Sequence, residues 1–323
     1  MAASLSDAKA VRSMVSRRAA NGAVLGATAF NVDLTNVPKR LRVAVAVNGA
    51  AVSKKVLRNA IALVNKERGD SLYVYMIDDP SKHGSSIMQV KTDMDGICSS
   101  ADVEPIWYIE SLEEGNTAVH QLIQKAEKHG VDFLFVGSMG KGNTDGGGSG
   151  LSVLGTTCEY SLRNSLVNII IVKNTAFEID LSEGNGLTFF LATDHSIAAQ
   201  AAFAWLTMCL VRPGRDKLIV LYSSDIASTT TLLEPYKAVM SMRGIDGDCV
   251  FDSYAGDEKP SDRIIDFSKK YDSDFIVMGV SGFGERKLGS VSLAVLSDTR
   301  SSALVVKEPG EVAEQRRIRV SLA

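Results

Sequence analysis

One stretch of this chain is written twice. Asp132-Phe133-Leu134-Phe135-Val136-Gly137-Ser138-Met139-Gly140 returns 142 residues later as Asp274-Phe275-Ile276-Val277-Met278-Gly279-Val280-Ser281-Gly282. Each copy is an apolar run that breaks into a glycine turn. Each then reaches a small-residue step, Gly155-Thr156 in the first and Gly289-Ser290 in the second. Both close on a further apolar run that ends in lysine, at Lys173 and at Lys307, now 134 residues apart. The difference sits in one loop: fourteen residues separate Gly140 from Gly155, and six separate Gly282 from Gly289. Such a chain is one module repeated, and its halves differ mainly after the fourth strand, where an open parallel sheet places its ligand.

The order of elements supports a parallel sheet. Leu41 to Val47 is a buried-strand run that ends in Asn48-Gly49, and Ser53 is expected to cap a helix with Val56, Leu57, Ala60, Ile61 and Val64 inward. Strands follow at 72–77 and 104–109, then a helix opened by Asn116, the strand 133–136, a helix around 158–164 and the closing strand. Residues 187–306 repeat that order. Strands alternating with helices of ten to fifteen residues predict right-handed crossovers and a parallel sheet covered on both faces. The expected organisation is an N-terminal extension (1–40), a first domain (41–174), a linker (175–186), a second domain (187–307) and a tail (308–323). The fold class is α/β, with two doubly wound, mostly parallel five-stranded sheets arranged as a pseudo-dimer.

Composition narrows the function. With 45% apolar and 23% charged residues and a net charge of −3, no basic surface offsets a phosphate backbone, which argues against nucleic acid. No apolar run is long enough to cross a bilayer. Cys98, Cys158, Cys209 and Cys249 stand far apart with no CxxC pair, as buried thiols of a reducing compartment do. That makes the protein cytoplasmic. Residues 1–30 carry Lys9, Arg12, Arg17 and Arg18 against Asp7 alone, so a mitochondrial presequence is the alternative to a disordered arm.

The duplicated strand, glycine turn and Gly-[S/T] helix start resemble the universal stress protein family, one domain in each half, over residues 41–307. In nucleotide-binding members the fourth strand runs into G-x2-G-x9-G-[S/T], and an Asp ends the first strand. This chain has Gly137-x2-Gly140-x14-Gly155-Thr156 in one half and Gly279-x2-Gly282-x6-Gly289-Ser290 in the other. Neither spacing is the family's. The resemblance implies adenine-nucleotide binding, ATP or AMP, with Mg2+ accompanying ATP, and self-association through the closing strands.

The two halves depart from the pattern in opposite ways. The second keeps the D-x-S step as Asp194-His195-Ser196, the helix-start hydroxyls Ser290 and Ser292, and Tyr222 where a base would be framed. Its loop is three residues short, and Arg286 and Lys287 there read either as phosphate screens or as solvated bases. The first half has Asn48 for the Asp and Ala50 for the Ser, keeps Gly155 and Thr156, and places Met76 at the base position. Its loop is five residues long for the pattern and glycine-rich. Glycines let N–H groups converge on phosphate, but each also reads as a tight turn, Tyr222 as a core residue with a wet hydroxyl and Met76 as core filler. The carboxylate favours the second half as binder.

Competing sites do not fit. Gly140-Lys141-Gly142 lacks the spacing and Ser/Thr of a P-loop, and Asn48-Gly49-Ala50 is not a dinucleotide fingerprint. A binding module leads, with slow ATP hydrolysis at most because no general base stands out. A scaffold that associates without nucleotide is the alternative.

Overall fold

The computed structural model describes residues 37–80, 86–138, 154–174, 176, 178–181, 185–224, 230–254, 258–281, 288–310 and 312–313. The first half runs β1 (Arg42–Ala46), α1 (Ala51–Leu63), β2 (Ser71–Asp78), α2 (Ile87–Ser100), β3 (Pro105–Ser111), α3 (Ala118–Lys128), β4 (Phe133–Gly137), α4 (Gly155–Asn164), β5 (Asn168–Val172). The second runs β6 (Thr188–Ala192), α5 (Ile197–Trp205), β7 (Lys217–Ser224), α6 (Glu234–Met242), β8 (Asp246–Ser253), α7 (Pro260–Lys270), β9 (Phe275–Val280), α8 (Ser290–Asp298), β10 (Ser302–Lys307).

Local chemistry accounts for the elements. In α1 the apolar residues Val52, Val56, Leu57, Ala60 and Ile61 recur at helical spacing and are buried. Thr117 caps α3 by accepting from the His120 N–H at 3.2 Å, and Lys125 and Lys128 oppose the dipole in its last turn. Every residue of β5 and β10 is buried, as expected of strands covered on both faces. One difference is local: α1 begins at Ala51, so Ser53 lies inside the helix and is not its cap. Its hydroxyl instead donates to Asn48 Oδ1 at 3.2 Å and tethers the entering turn.

The sheet corrects the expectation of two separate five-stranded sheets. All ten strands form one, ordered β3-β2-β1-β4-β5-β10-β9-β6-β7-β8. Each half is parallel throughout, and the join is a single antiparallel pair, Ala303 to Val305 of β10 against Ile171 to Ile169 of β5. The closing strands therefore pair within the chain. Both edges of each are taken up within the chain, and the edges of the sheet are β3 and β8. A right-handed crossover cannot reveal this join from sequence, because β5 and β10 are identical in character to any other buried strand.

Two apolar layers cover the sheet. One holds α1, α2, α5 and α6 with Ile170, Val172, Leu304 and Val306. The other holds α3, α4, α7 and α8 with Ile169, Ile171, Ala303 and Val305. Polar ties cross the join reciprocally. Lys173 Nζ donates to the Ser297 carbonyl near the end of α8 at 2.6 Å, and Lys307 Nζ donates to the Leu162 carbonyl in α4. Each closing-strand lysine thus reaches the C-terminal turn of the other half's helix, where a cation meets the negative end of the dipole. Residues 178–181 lie against the first half, with Arg58 paired to Glu178, and Val37 packs on the core ahead of the expected boundary.

Candidate functional site

The strand order reverses twice, between β1 and β4 and between β6 and β9. In open α/β sheets such a point is where ligands bind, beyond the C-terminal ends of the strands. The site residues read from the sequence fall there by topology. Asn48 and Gly137 flank the first reversal, and Asp194 and Gly279 flank the second, with Met76 and Tyr222 one strand farther out. Gly140 and Gly282 lie outside the described residues, as do Arg286, Lys287 and the long glycine loop.

In the first half the turn is spent on itself. Asn48 Oδ1 accepts from the Ala50 N–H at 3.1 Å and from Ser53 Oγ at 3.2 Å, while Gly49 takes φ +74°. Met76 is buried in the core with 5% exposure. Gly155 opens α4 at φ +75°, a conformation that favours glycine, and Thr156 after it is exposed.

The second half has a more exposed turn. Asp194 is exposed, with one oxygen accepting from the Ser196 N–H at 2.9 Å. Ser196 caps α5 through the Ala199 N–H at 3.2 Å. Gly289 and Ser290 are exposed at the start of α8, whose N-cap residue provides no side-chain cap. Ser292 follows within the first turn. Tyr222, half-buried near the end of β7, presents a ring beside that of His195, centroids 4.6 Å apart.

Gly137 and Gly279 have a packing reason independent of any ligand. A Cβ on Gly279 would lie 2.0 Å from the carbonyl carbon of Ala198, and one on Gly137 would lie 2.6 Å from a Val52 methyl. These glycines let α5 and α1 approach the sheet.

His195, which the sequence pattern places only as the middle residue of the D-x-S step, is held in an unusual way. Its backbone is left-handed, φ +61°, at a cost of about 1–2 kcal/mol for a residue with a Cβ. It is held from several sides. Its N–H donates to Thr193 Oγ1 at 3.1 Å, its carbonyl accepts from Gln200 Nε2 at 2.9 Å, and Nδ1 lies 3.2 Å from Tyr236 Oη. Thr193 Oγ1 is in turn 3.0 Å from the same phenol. Burial holds the imidazole below its ordinary pKa against the pull of Asp194, and pushes the Tyr236 phenol up to about 12. Both stay neutral near pH 7. Nε2 is buried and has no hydrogen-bond partner among the described residues. The repeat held the signal: residue 195 occupies the place of Gly49, where a side chain is least expected.

A groove of about 720 Å³ elsewhere, between α1, α2 and residues 178–181, is lined by Arg58, Asp93, Glu178 and Asp180 and touches none of these positions. Among the described residues no group of three His, Cys, Asp or Glu side chains could hold a metal ion, and no helix is long and apolar enough to cross a membrane.

The architecture has solved counterparts. A universal stress protein from Archaeoglobus fulgidus DSM 4304 matches 84% of this chain and 98% of its own, with 18% identity and a TM-score of 0.58. The chain has the fold of tandem universal stress proteins. A functionally unknown protein from Pseudomonas aeruginosa PAO1 shares that fold at 12% identity, matching 87% of this chain and 98% of its own with a TM-score of 0.58. No protein-family profile and no curated protein matches the sequence.

Proposed function

We propose that this chain is an adenine-nucleotide-binding regulatory module, built as a pseudo-dimer of two universal stress protein domains (41–174 and 187–307), in which the second half holds the ligand. The observation that carries this reading is the asymmetry at the two reversals. At the second, an exposed carboxylate, a half-buried tyrosine ring and the exposed, uncapped start of α8 stand at the ends of neighbouring elements. At the first, Asn48 is likewise exposed and α4 likewise uncapped, but the amide carries no charge, its oxygen serves both Ala50 and Ser53, and the side chain in the place of Tyr222 is a buried methionine. Asp194 would accept from ribose or base hydroxyl and amino groups, and the α8 N–H groups with Ser290 and Ser292 would meet phosphate. With ATP, Mg2+ would arrive on the phosphates. The first half serves as structural partner across the β5–β10 join. The output is read as binding, with slow ATP hydrolysis at most.

Mass spectrometry of small molecules released by gentle denaturation should find adenine nucleotide. Calorimetry on stripped protein should then show ATP or AMP binding that Asp194→Ala weakens. Stripped protein that takes up neither nucleotide would reject this function and leave the scaffold reading in place.

A further inference from the structure

The nature of the grip can be specified further, resting on the second half as the nucleotide site. We infer that this site holds its ligand by the base, with phosphates adding little, and that His195 is the residue that positions the base platform. The platform is a row of half-buried rings on neighbouring strand ends. Tyr222 lies 4.6 Å from His195 on one side and 6.0 Å from Phe251 on the other, by ring centroids, inclined to them by 54° and 42°, so that the two neighbours brace its ring and are not coplanar with it. Aromatic faces bind any base by stacking, because every base has a π-face.

His195 is placed with unusual firmness for a residue in a turn. Four contacts, to Thr193, Gln200, Tyr236 and Tyr222, hold it in a left-handed backbone that a glycine would adopt freely. A strained conformation fixed from so many sides is the mark of a group set in advance for its task. Its Nε2, buried and without a partner among the described residues, would gain one from the polar edge of a base after a small shift. At the phosphate end the described residues offer the start of α8 with Ser290 and Ser292 and little beside it. The Cβ direction of Gly279 is filled by Ala198, and only six residues separate Gly282 from Gly289, three fewer than the family pattern. The first half is an internal control, with Gly49 and buried Met76 where the second has His195 and Tyr222.

Titration calorimetry of the full chain with adenosine, AMP and ATP with Mg2+ tests this. Affinities for the three should agree within about threefold, well under the tenfold that 1.4 kcal/mol represents. Tyr222→Ala should cost about tenfold or more for all three, while Tyr222→Phe, which keeps the ring, should retain affinity. His195→Gly should weaken all three by about tenfold with a melting temperature within a few degrees of wild type, since relieved strain offsets lost contacts. A role confined to structure would move the melting temperature and spare the affinity. ATP binding more than about thirtyfold tighter than adenosine would overturn base-driven recognition, as would wild-type affinity in His195→Gly. Failure of the wild type to bind any of the three would sink the nucleotide site itself, so the two failures are distinguishable.

Discussion

At matching points in the two halves, Gly49, Met76 and Met94 stand where the second half has His195, Tyr222 and Tyr236. Strand register makes the first two pairs explicit: Ala46 pairs with Tyr75 and Ala192 with Leu221, so the next residues correspond. The third pair follows from the ends of α2 and α6, where Val103 bonds back to Cys98 as Ile245 does to Met240. Backbone geometry is common to both, since residues 49 and 195 each have positive φ. What differs is the load placed on it. The first half uses the turn with the residue it favours and fills around it with flexible thioethers; the second sets a strained imidazole between two phenols. Fold can therefore be kept twice while the site is elaborated once.

The largest effect should come from the helix–strand approach. Gly279→Ala would put a methyl 2.0 Å from the Ala198 backbone, which cannot yield without moving α5, and should cost about 3 kcal/mol or more. Gly137→Ala meets the Val52 side chain at 2.6 Å, which can change rotamer, and should cost about 1–2 kcal/mol. Urea unfolding of both variants makes the comparison. Equal losses would mean that the two helices seat on the sheet alike.

The join between halves offers the next. Burial pushes the Lys173 amine down to about 8, with Asp298 pulling the other way. A lysine so shifted binds fewer protons folded than unfolded between pH 8 and its ordinary 10.5, so stability should rise with pH across that window. The slope should approach but not exceed about 1.4 kcal/mol per pH unit. Lys173→Met should flatten it in denaturation curves taken from pH 8 to 10.5. An undiminished slope in the variant would assign the effect to another group.

Much of the fold was legible in the sequence, and the residues say why. The two apolar runs ending in Gly137 and Gly279 mark buried strands, and helices such as α1 and α3 announce themselves by spacing. The resemblance implied a meeting of the closing strands, but their merging into one sheet was not legible, because pairing Leu304 with Ile170 is a non-local choice that leaves no pattern in either strand. Within the site, the carboxylate and helix-start hydroxyls were visible as motif positions. His195 was not, since its importance depends on Tyr236, 41 residues away, and on a backbone angle that no residue type declares. The packing role of Gly279 was hidden likewise, because a glycine records the absence of a side chain and not what fills its place.

A smaller effect concerns the carboxylate. Asp194→Ala should weaken nucleotide binding by about 1.5–3 kcal/mol, the range for a hydrogen bond to a charged group. Asn48→Ala should leave binding unchanged and show only in stability, because Asn48 Oδ1 already serves Ala50 and Ser53. Calorimetry on the pair decides it. If Asn48→Ala abolishes the signal and Asp194→Ala keeps it, the assignment of halves is reversed.

The gentlest change asks whether a carboxylate alone would make the first half a site. Asn48→Asp keeps the acceptor that Ala50 and Ser53 use and adds charge near the start of α1, where a negative group is stabilising. Its effect on stability should be small, a gain of about 0.3–1 kcal/mol. Its effect on binding should be none. Gly49 offers no ring, Met76 is buried, and Ala50 has no hydroxyl to cap the helix, so a new carboxylate would face solvent without a platform beside it. Calorimetric stoichiometry should stay where it is in the wild type. A doubled stoichiometry would show that charge was the missing element and that the rings of the second half refine a site which both halves share.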